Sequence, residues 1–181
     1  MYTADTWPIA CKMNFGNKAA DGTPLNEAAA SEWADHIEQV MALGYKAIDP
    51  IDDWVNISTM SSQKFAEFKK LLASYELAVP GVSFGRRSPV DKAHGEEYVQ
   101  RMHVALDRAA ELGAHILNVG FMQDLTPAQE KAQWFWYADG HKDSAELRPL
   151  AIERIREVAD HAAQNGMEIA LEMYEDTYLG T

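Results

Sequence analysis

Glu172 follows Ile169, Ala170 and Leu171 in the sequence. A carboxylate ending so apolar a run is costly to desolvate unless it is paired or bound to a cation, and a hard divalent ion suits such an oxygen. The alternative is a side chain that reaches water or a basic neighbour. Asp49, Asp52 and Asp53, at the end of the apolar run 46–51, admit the same two readings. His141 stands in the polar stretch Asp139-Gly140-His141-Lys142-Asp143, just after Trp134-Phe135-Trp136-Tyr137. An imidazole there titrates near neutral pH and suits proton abstraction, unless it is simply a solvated loop residue. Arg86-Arg87 suits an anionic or hydroxyl-rich ligand, or a surface ion pair. Four consecutive aromatics do not fit one helical face, so some are left to cover a ligand or to anchor their segment to the body. His36, His94, His103 and His161 fall on or beside expected helices and His115 opens a strand, so these five read as structural.

Groups so far apart in sequence meet only if the elements bearing them are parallel. Two hydrophobic periods alternate along the chain, short apolar runs followed by longer stretches with apolar residues every three or four positions. Strands are expected at 7–15, 46–51, 77–84, 115–121 and 167–174, nearly all apolar in their middles as parallel strands covered on both faces are. Four helical stripes lie between them: Trp33, Ile37, Val40, Met41; Phe65, Phe68, Leu72, Tyr75; Tyr98, Met102, Leu106, Ala109; and Ile152, Ile155, Ala159, Ala162. Gly44, Gly113 and Gly166 are placed to close three of these helices. The segments ALGYKAID, ELGAHILN and QNGMEIALE share one pattern, ending in Asp49, Asn118 and Glu172. In a parallel βα array those ends converge on one rim, where ligands bind. No Gly-x-Gly-x-x-Gly follows the first strand and no Gly-x-x-x-x-Gly-Lys occurs, which favours part of a barrel over a nucleotide-binding open sheet.

The stretch 122–148 is far longer than an ordinary βα connection, and is expected to be a loop over the ligand-binding rim. It carries its own short helix, with Thr126 as N-cap, Pro127 at the first position and Gln129 completing a capping box.

Composition sets the limits. The 181 residues suit a single domain, 1–181, and 47% hydrophobic with 24% charged residues excludes a disordered or collagen-like chain. With 16 Lys and Arg against 28 Asp and Glu the formal charge is −12, which argues against nucleic acid and anionic membranes as partners. Cys11 is the single cysteine, so no internal disulfide or thiolate zinc cluster forms; it reads as a small core residue of a strand. The opening MYTADTWPIACK lacks a basic region and a sufficient apolar stretch for a secretory signal, and no run of about 18 apolar residues occurs. The expectation is a soluble, cytoplasmic protein.

The run GMEIALEMYEDTYLGT (166–181), with the βα pattern before it, resembles the xylose-isomerase-like TIM barrels, a superfamily of sugar isomerases, epimerases and endonuclease IV. More narrowly, GRRSPVD (85–91), LTPAQEKAQWFW (125–136) and GHKD (140–143) resemble sugar phosphate isomerase/epimerase proteins that include the α subunits of C-glycoside deglycosidases. The resemblance implies an α/β fold, a partial TIM (β/α)8 barrel of about five βα units with parallel strands. It also implies a divalent metal, manganese foremost with magnesium, cobalt or zinc as alternatives, held at the carboxyl rim by Glu, Asp, His and Glu. Glu172 matches the first ligand; the other three have no counterpart, because the sequence ends nine residues later.

The implied activity is proton abstraction next to a sugar carbonyl, with Glu172 on the metal and near the transferred proton. In the deglycosidase-like version His141 removes the proton and the aglycone leaves by elimination. Asp49, Arg86, Trp134, Trp136 and Lys142 are the expected substrate-binding residues, and a sugar or glycoside the expected ligand. The rest of the barrel, an oligomer mate or a second subunit is the expected protein partner. A non-catalytic partial barrel, serving binding or assembly, is the competing expectation. Nuclease action needs further metal-binding histidines and a basic surface that the sequence lacks.

Overall fold

The computed structural model of the chain describes residues 9–174 and 177–180; Trp7 and Pro8 of the first expected strand lie outside them. The elements run β1 (Cys11–Lys12), α1 (Ala30–Ala42), β2 (Ile48–Asp49), α2 (Ser62–Ser74), β3 (Gly81–Ser83), α3 (Gly95–Glu111), β4 (Ile116–Val119), α4 (Pro127–Lys131), α5 (Arg148–Gln164) and β5 (Glu168–Leu171). Two 3-10 turns, Phe135–Tyr137 and Ala145–Leu147, lie between α4 and α5.

Every strand pairing is parallel. β1 pairs with β2, and β3, β4 and β5 form a second ladder in that order. The two ladders are continuous through the parallel bridge Ala47–Ala78, where the Ile48 amide donates to Ala78 O at 3.0 Å and the Ala78 amide to Lys46 O at 3.1 Å. The result is the expected sequential βα array, with shorter strands than the hydrophobic runs suggested. The apolar residues flanking each strand continue the core without continuing the ladder.

One face of the strands packs on the helices. Ile48, Val82, Leu117 and Val119 share a core with Trp33 and Ile37 of α1, Phe68 and Leu72 of α2, and Met102 and Leu106 of α3. Burying each such side chain contributes roughly 1.5–3 kcal/mol. Trp33 also donates its indole N–H to Leu25 O at 2.7 Å, so its polar atom is satisfied inside the core. The third expected stripe is wholly buried. The fourth is corrected in part. Ala162 is buried and Ile155 packs against the core, but Ile152 is 44% exposed, and Ala151 and Val158 complete the buried face of α5. Met41 likewise lies at the margin of α1, 36% exposed.

Helix closure follows the glycines. Gly44, Gly113 and Gly166 have φ of 92°, 83° and 67°, the left-handed geometry that ends a helix at no Cβ cost. α2 ends without one, and Glu76 takes φ 53° in that role. Cys11 is partly buried and packs against the core, as expected of a strand residue.

The opposite face carries polar residues in register. Lys12 stands opposite Asp49, and Ser83 opposite Asn118 and then Ala170 across the ladders. β5 pairs only with β4 among the described residues, and its sequence pattern is largely exposed.

Candidate functional site

At the carboxyl ends of the strands, neighbouring tips are clasped by side chains. Asp49 Oδ1 accepts the Ser83 amide at 2.7 Å and Asp49 Oδ2 accepts the Ser83 hydroxyl at 2.5 Å, tying β2 to β3. Burial nevertheless pushes the Asp49 carboxyl above its ordinary value, with the two Ser83 bonds and Lys12 opposing. On the other ladder, Asn118 of β4 donates its amide to Glu172 Oε2 at 3.1 Å. Glu172 itself is exposed, so the desolvation cost expected from its apolar run does not arise. Gly120 lies beside Glu172: a Cβ there would be in ordinary contact, 3.5 Å from Glu172 O and 3.7 Å from Glu172 Cβ.

The two arginines after β3 part company. Arg87 is an ion-pair residue, with Nε 3.5 Å from Asp52 Oδ2 and Nη1 3.5 Å from Asp124 Oδ1. Asp52 is buried and accepts the Gly85 amide at 2.7 Å. Its carboxyl is raised above the ordinary value by burial, against the pull of Arg87 and Gly85. Asp124 also accepts the Tyr98 hydroxyl at 2.9 Å; burial and this carboxylate push the phenol up to about 12. Arg86 has neither kind of partner. Its Nη1 donates to Gln123 O and its Nη2 to the Tyr174 hydroxyl, each at 3.2 Å. Its guanidinium carbon lies 4.5 Å from the Phe135 ring centre and 5.3 Å from that of Tyr174.

The long connection folds over this point. α4 has the expected capping box, with Thr126 Oγ1 accepting the Gln129 amide at 3.2 Å and Gln129 Oε1 accepting the Thr126 amide at 3.1 Å. Thr126 Oγ1 also donates to Asp139 O at 3.1 Å, and Gly140 comes close to the buried Gln129 side chain. His141 is thereby set beside α4. The aromatic run divides: Phe135 turns in toward Arg86 and Tyr174, while Trp134, Trp136 and Tyr137 are 49%, 58% and 71% exposed. Trp134 and Trp136 stack face to face, their centres 5.0 Å apart.

These parts enclose a cavity of about 550 Å³ whose wall includes Arg86, Gln123, Phe135, Trp136, His141 and Tyr174. Of the expected site residues, the structure brings Arg86, Trp136 and His141 into this wall. Trp134 supports Trp136 from outside it, and exposed Lys142 follows His141 in sequence. Glu172 and Asp49 stand at the strand tips, outside the lining. Sequence reasoning missed Phe135, Gln123 and Tyr174. Tyr174 carried a signal, two residues after Glu172 in an extended run; Gln123, acting through its backbone oxygen, carried none.

The residues present fit a divalent ion only in part. Glu172 is a hard oxygen donor steadied by Asn118, with lone pairs left for a cation. Among the described residues, however, no group of three or more His, Cys, Asp or Glu side chains converges on one point. One ligand is at hand, and a full cage needs donors beyond these.

Parallel strands joined through helices, with ligand-type side chains gathered at their carboxyl tips, define a section of a βα barrel. A family model of the xylose isomerase-like TIM barrel matches residues 37–181, and the chain belongs to that family. A xylose isomerase-like TIM barrel protein from Mycobacterium smegmatis, solved in complex with magnesium, is 49% identical and superposes with a TM-score of 0.95 over 100% of this chain and 60% of its own. The chain thus spans less than two thirds of that relative's length. D-allulose 3-epimerase from Methylomonas sp. is 16% identical, with a TM-score of 0.62 over 91% of this chain and 50% of its own. D-psicose 3-epimerase from Clostridium cellulolyticum H10, solved with D-tagatose, is 17% identical, with a TM-score of 0.60 over 81% and 49%. These two likenesses concern the fold. No curated protein matches the chain. Among the described residues no helix is long and apolar enough to cross a membrane.

Proposed function

We propose that this chain carries the substrate-binding wall and one metal ligand of a sugar isomerase/epimerase-like enzyme that removes a proton next to a sugar carbonyl. The observation that carries the reading is the cavity beside the β4 and β5 tips, where an imidazole, a guanidinium and aromatic faces meet. Trp136 offers a flat apolar surface to the C–H face of a sugar, and His141 is the proton acceptor. Asp49 holds β3 through Ser83 and turns its remaining lone pairs to a sugar hydroxyl; Lys142 extends the polar side of the wall. Glu172 gives a divalent ion one carboxylate oxygen, and Asn118 keeps that oxygen oriented. Such an ion, when bound, polarises a sugar carbonyl and acidifies the neighbouring carbon-bound proton. Manganese or magnesium suits a carboxylate site. Elimination from a keto-sugar glycoside is a second reading, favoured by the exposed Trp136 and Tyr137 rings, which offer aromatic contacts to an aglycone.

The test is exchange of a ketose proton with deuterated solvent, followed by nuclear magnetic resonance in the presence of manganese. His141→Gln is expected to lower exchange by about 100-fold or more, the scale of general-base catalysis. Glu172→Gln is expected to abolish the manganese dependence and to weaken metal binding seen by calorimetry. Unchanged exchange in both variants overturns the proposal. Absence of exchange in the wild type, with sugar still bound, supports a binding subunit instead.

A further inference from the structure

We propose that the cavity takes a sugar bearing an acidic group, a carboxylate or a phosphate, and that Arg86 is the anchor for that group. This rests on the sugar-binding reading above and adds the ligand's charge.

The first argument is the missing counter-ion. The chain carries 28 acidic residues against 16 Lys and Arg; Arg87, Arg101 and Arg154 contact carboxylates, while Arg108, like Arg86, bonds to backbone oxygens beside an aromatic ring but lies outside this cavity. Arg86, half-buried in the cavity wall, contacts none among the described residues; its polar partners are a backbone oxygen and a phenol. Both are neutral acceptors that orient a guanidinium without cancelling its charge.

The second argument is preorganisation. Phe135 and Tyr174 lie close to the guanidinium, and the bonds to Gln123 O and Tyr174 fix its rotation. Gln123 is itself held, its amide donating to Asp143 Oδ1 at 3.3 Å. A guanidinium has five N–H donors in a planar fork that matches the two oxygens of a carboxylate or phosphate, and two of the five are used here. The others have no partner among the described residues. Holding the fork in place beforehand removes much of the side-chain entropy that binding would otherwise cost.

Among the described residues the remaining charges in the wall are Asp139 and, when protonated, His141. Asp139 makes no ion pair with Arg86, and the repulsion from the acidic surface outside the cavity is screened beyond a Debye length of about 8 Å. A direct guanidinium contact is not.

Tryptophan fluorescence reports on the cavity through Trp136. The full chain is titrated with a neutral ketohexose, its 6-phosphate, a keto-sugar acid and inorganic phosphate. One of the two acid-bearing sugars is expected to bind on the order of 10–100-fold more tightly than the neutral ketose, the scale of a charged hydrogen-bonded contact. Which of the two wins tells a phosphate site from a carboxylate site. In Arg86→Met the acid-over-neutral ratio is expected to fall to near one; in Arg86→Lys, which keeps the charge but loses the fork, it falls only partway. The proposal is overturned if the neutral ketose binds as tightly as both acids, if nothing binds, or if Arg86→Met, with wild-type circular dichroism, keeps the preference. Inorganic phosphate binding through Arg86 with no gain from any sugar overturns it through the sugar reading. A neutral ketose bound and turned over without acid preference overturns the anchor alone.

Discussion

Asp52 has a side chain only 4% exposed, and one of its oxygens, Oδ2, has no hydrogen-bond partner among the described residues. Burial raises its carboxyl in the folded chain, so folding favours the protonated form. The sign follows from linkage. Below the ordinary aspartate value of 3.8 both states are protonated and the group contributes nothing; as pH rises through the raised folded value, the folded state bears a growing cost of ionisation. Asp52→Asn removes that cost and should gain stability relative to wild type as pH rises from about 4 to neutrality. Urea unfolding at pH 4.5 and pH 8 measures this; a difference that stays constant or shrinks contradicts it. The sequence placed Asp49, Asp52 and Asp53 together at one strand end but did not distinguish them. Their fates depend on what the end of β3 presents: Ser83 meets Asp49, and Gly85 and Arg87 meet Asp52. Those partners lie more than 30 residues away, and spacing along the chain carries no trace of them.

At the level of elements, the parallel order, the helix-closing glycines and the capped short helix α4 were all legible, because each depends on neighbouring residues. The path of the chain after α4 was not. Phe135–Tyr137 forms a 3-10 turn, so Phe135 turns inward while Trp134, Trp136 and Tyr137 stay exposed, a division that helical spacing does not forecast. The fourth stripe departed at Ile152 for a related reason: α5 packs chiefly on α3 and β5, and the side of Ile152 has no neighbour to bury it among the described residues. α4 in turn has a use beyond its own five residues. A Cβ added at Gly140 would sit 2.8 Å from Gln129 Nε2, inside the capping box that also anchors Asp139. Gly140→Ala is therefore expected to displace His141, changing the near-ultraviolet dichroism of the tryptophans and lowering proton exchange on the order of 10-fold. Wild-type signals in both measurements would separate α4 from the positioning of His141.

For the whole molecule, the resemblance carried by residues 166–181 correctly anticipated a partial barrel, a feature that periodicity alone left open. The consequence is a flank. Among the described residues the side of β5 away from β4 is unpaired, with Leu171 38% and Met173 77% exposed and Ile152 on the adjoining helix. Exposed edges of this kind recruit further strands. The isolated 20.2 kDa chain is expected to associate at tens of micromolar, and Leu171→Lys with Met173→Lys to restore the monomer. Light scattering decides; a wild-type monomer at all concentrations removes the edge as a driving force.

Among the described residues β5 is at once an outer strand of its ladder and the element that Glu172 directly follows. Under the proposed function the margin of the sheet and the working end would then be the same short segment, so that fraying of one would cost competence at the other.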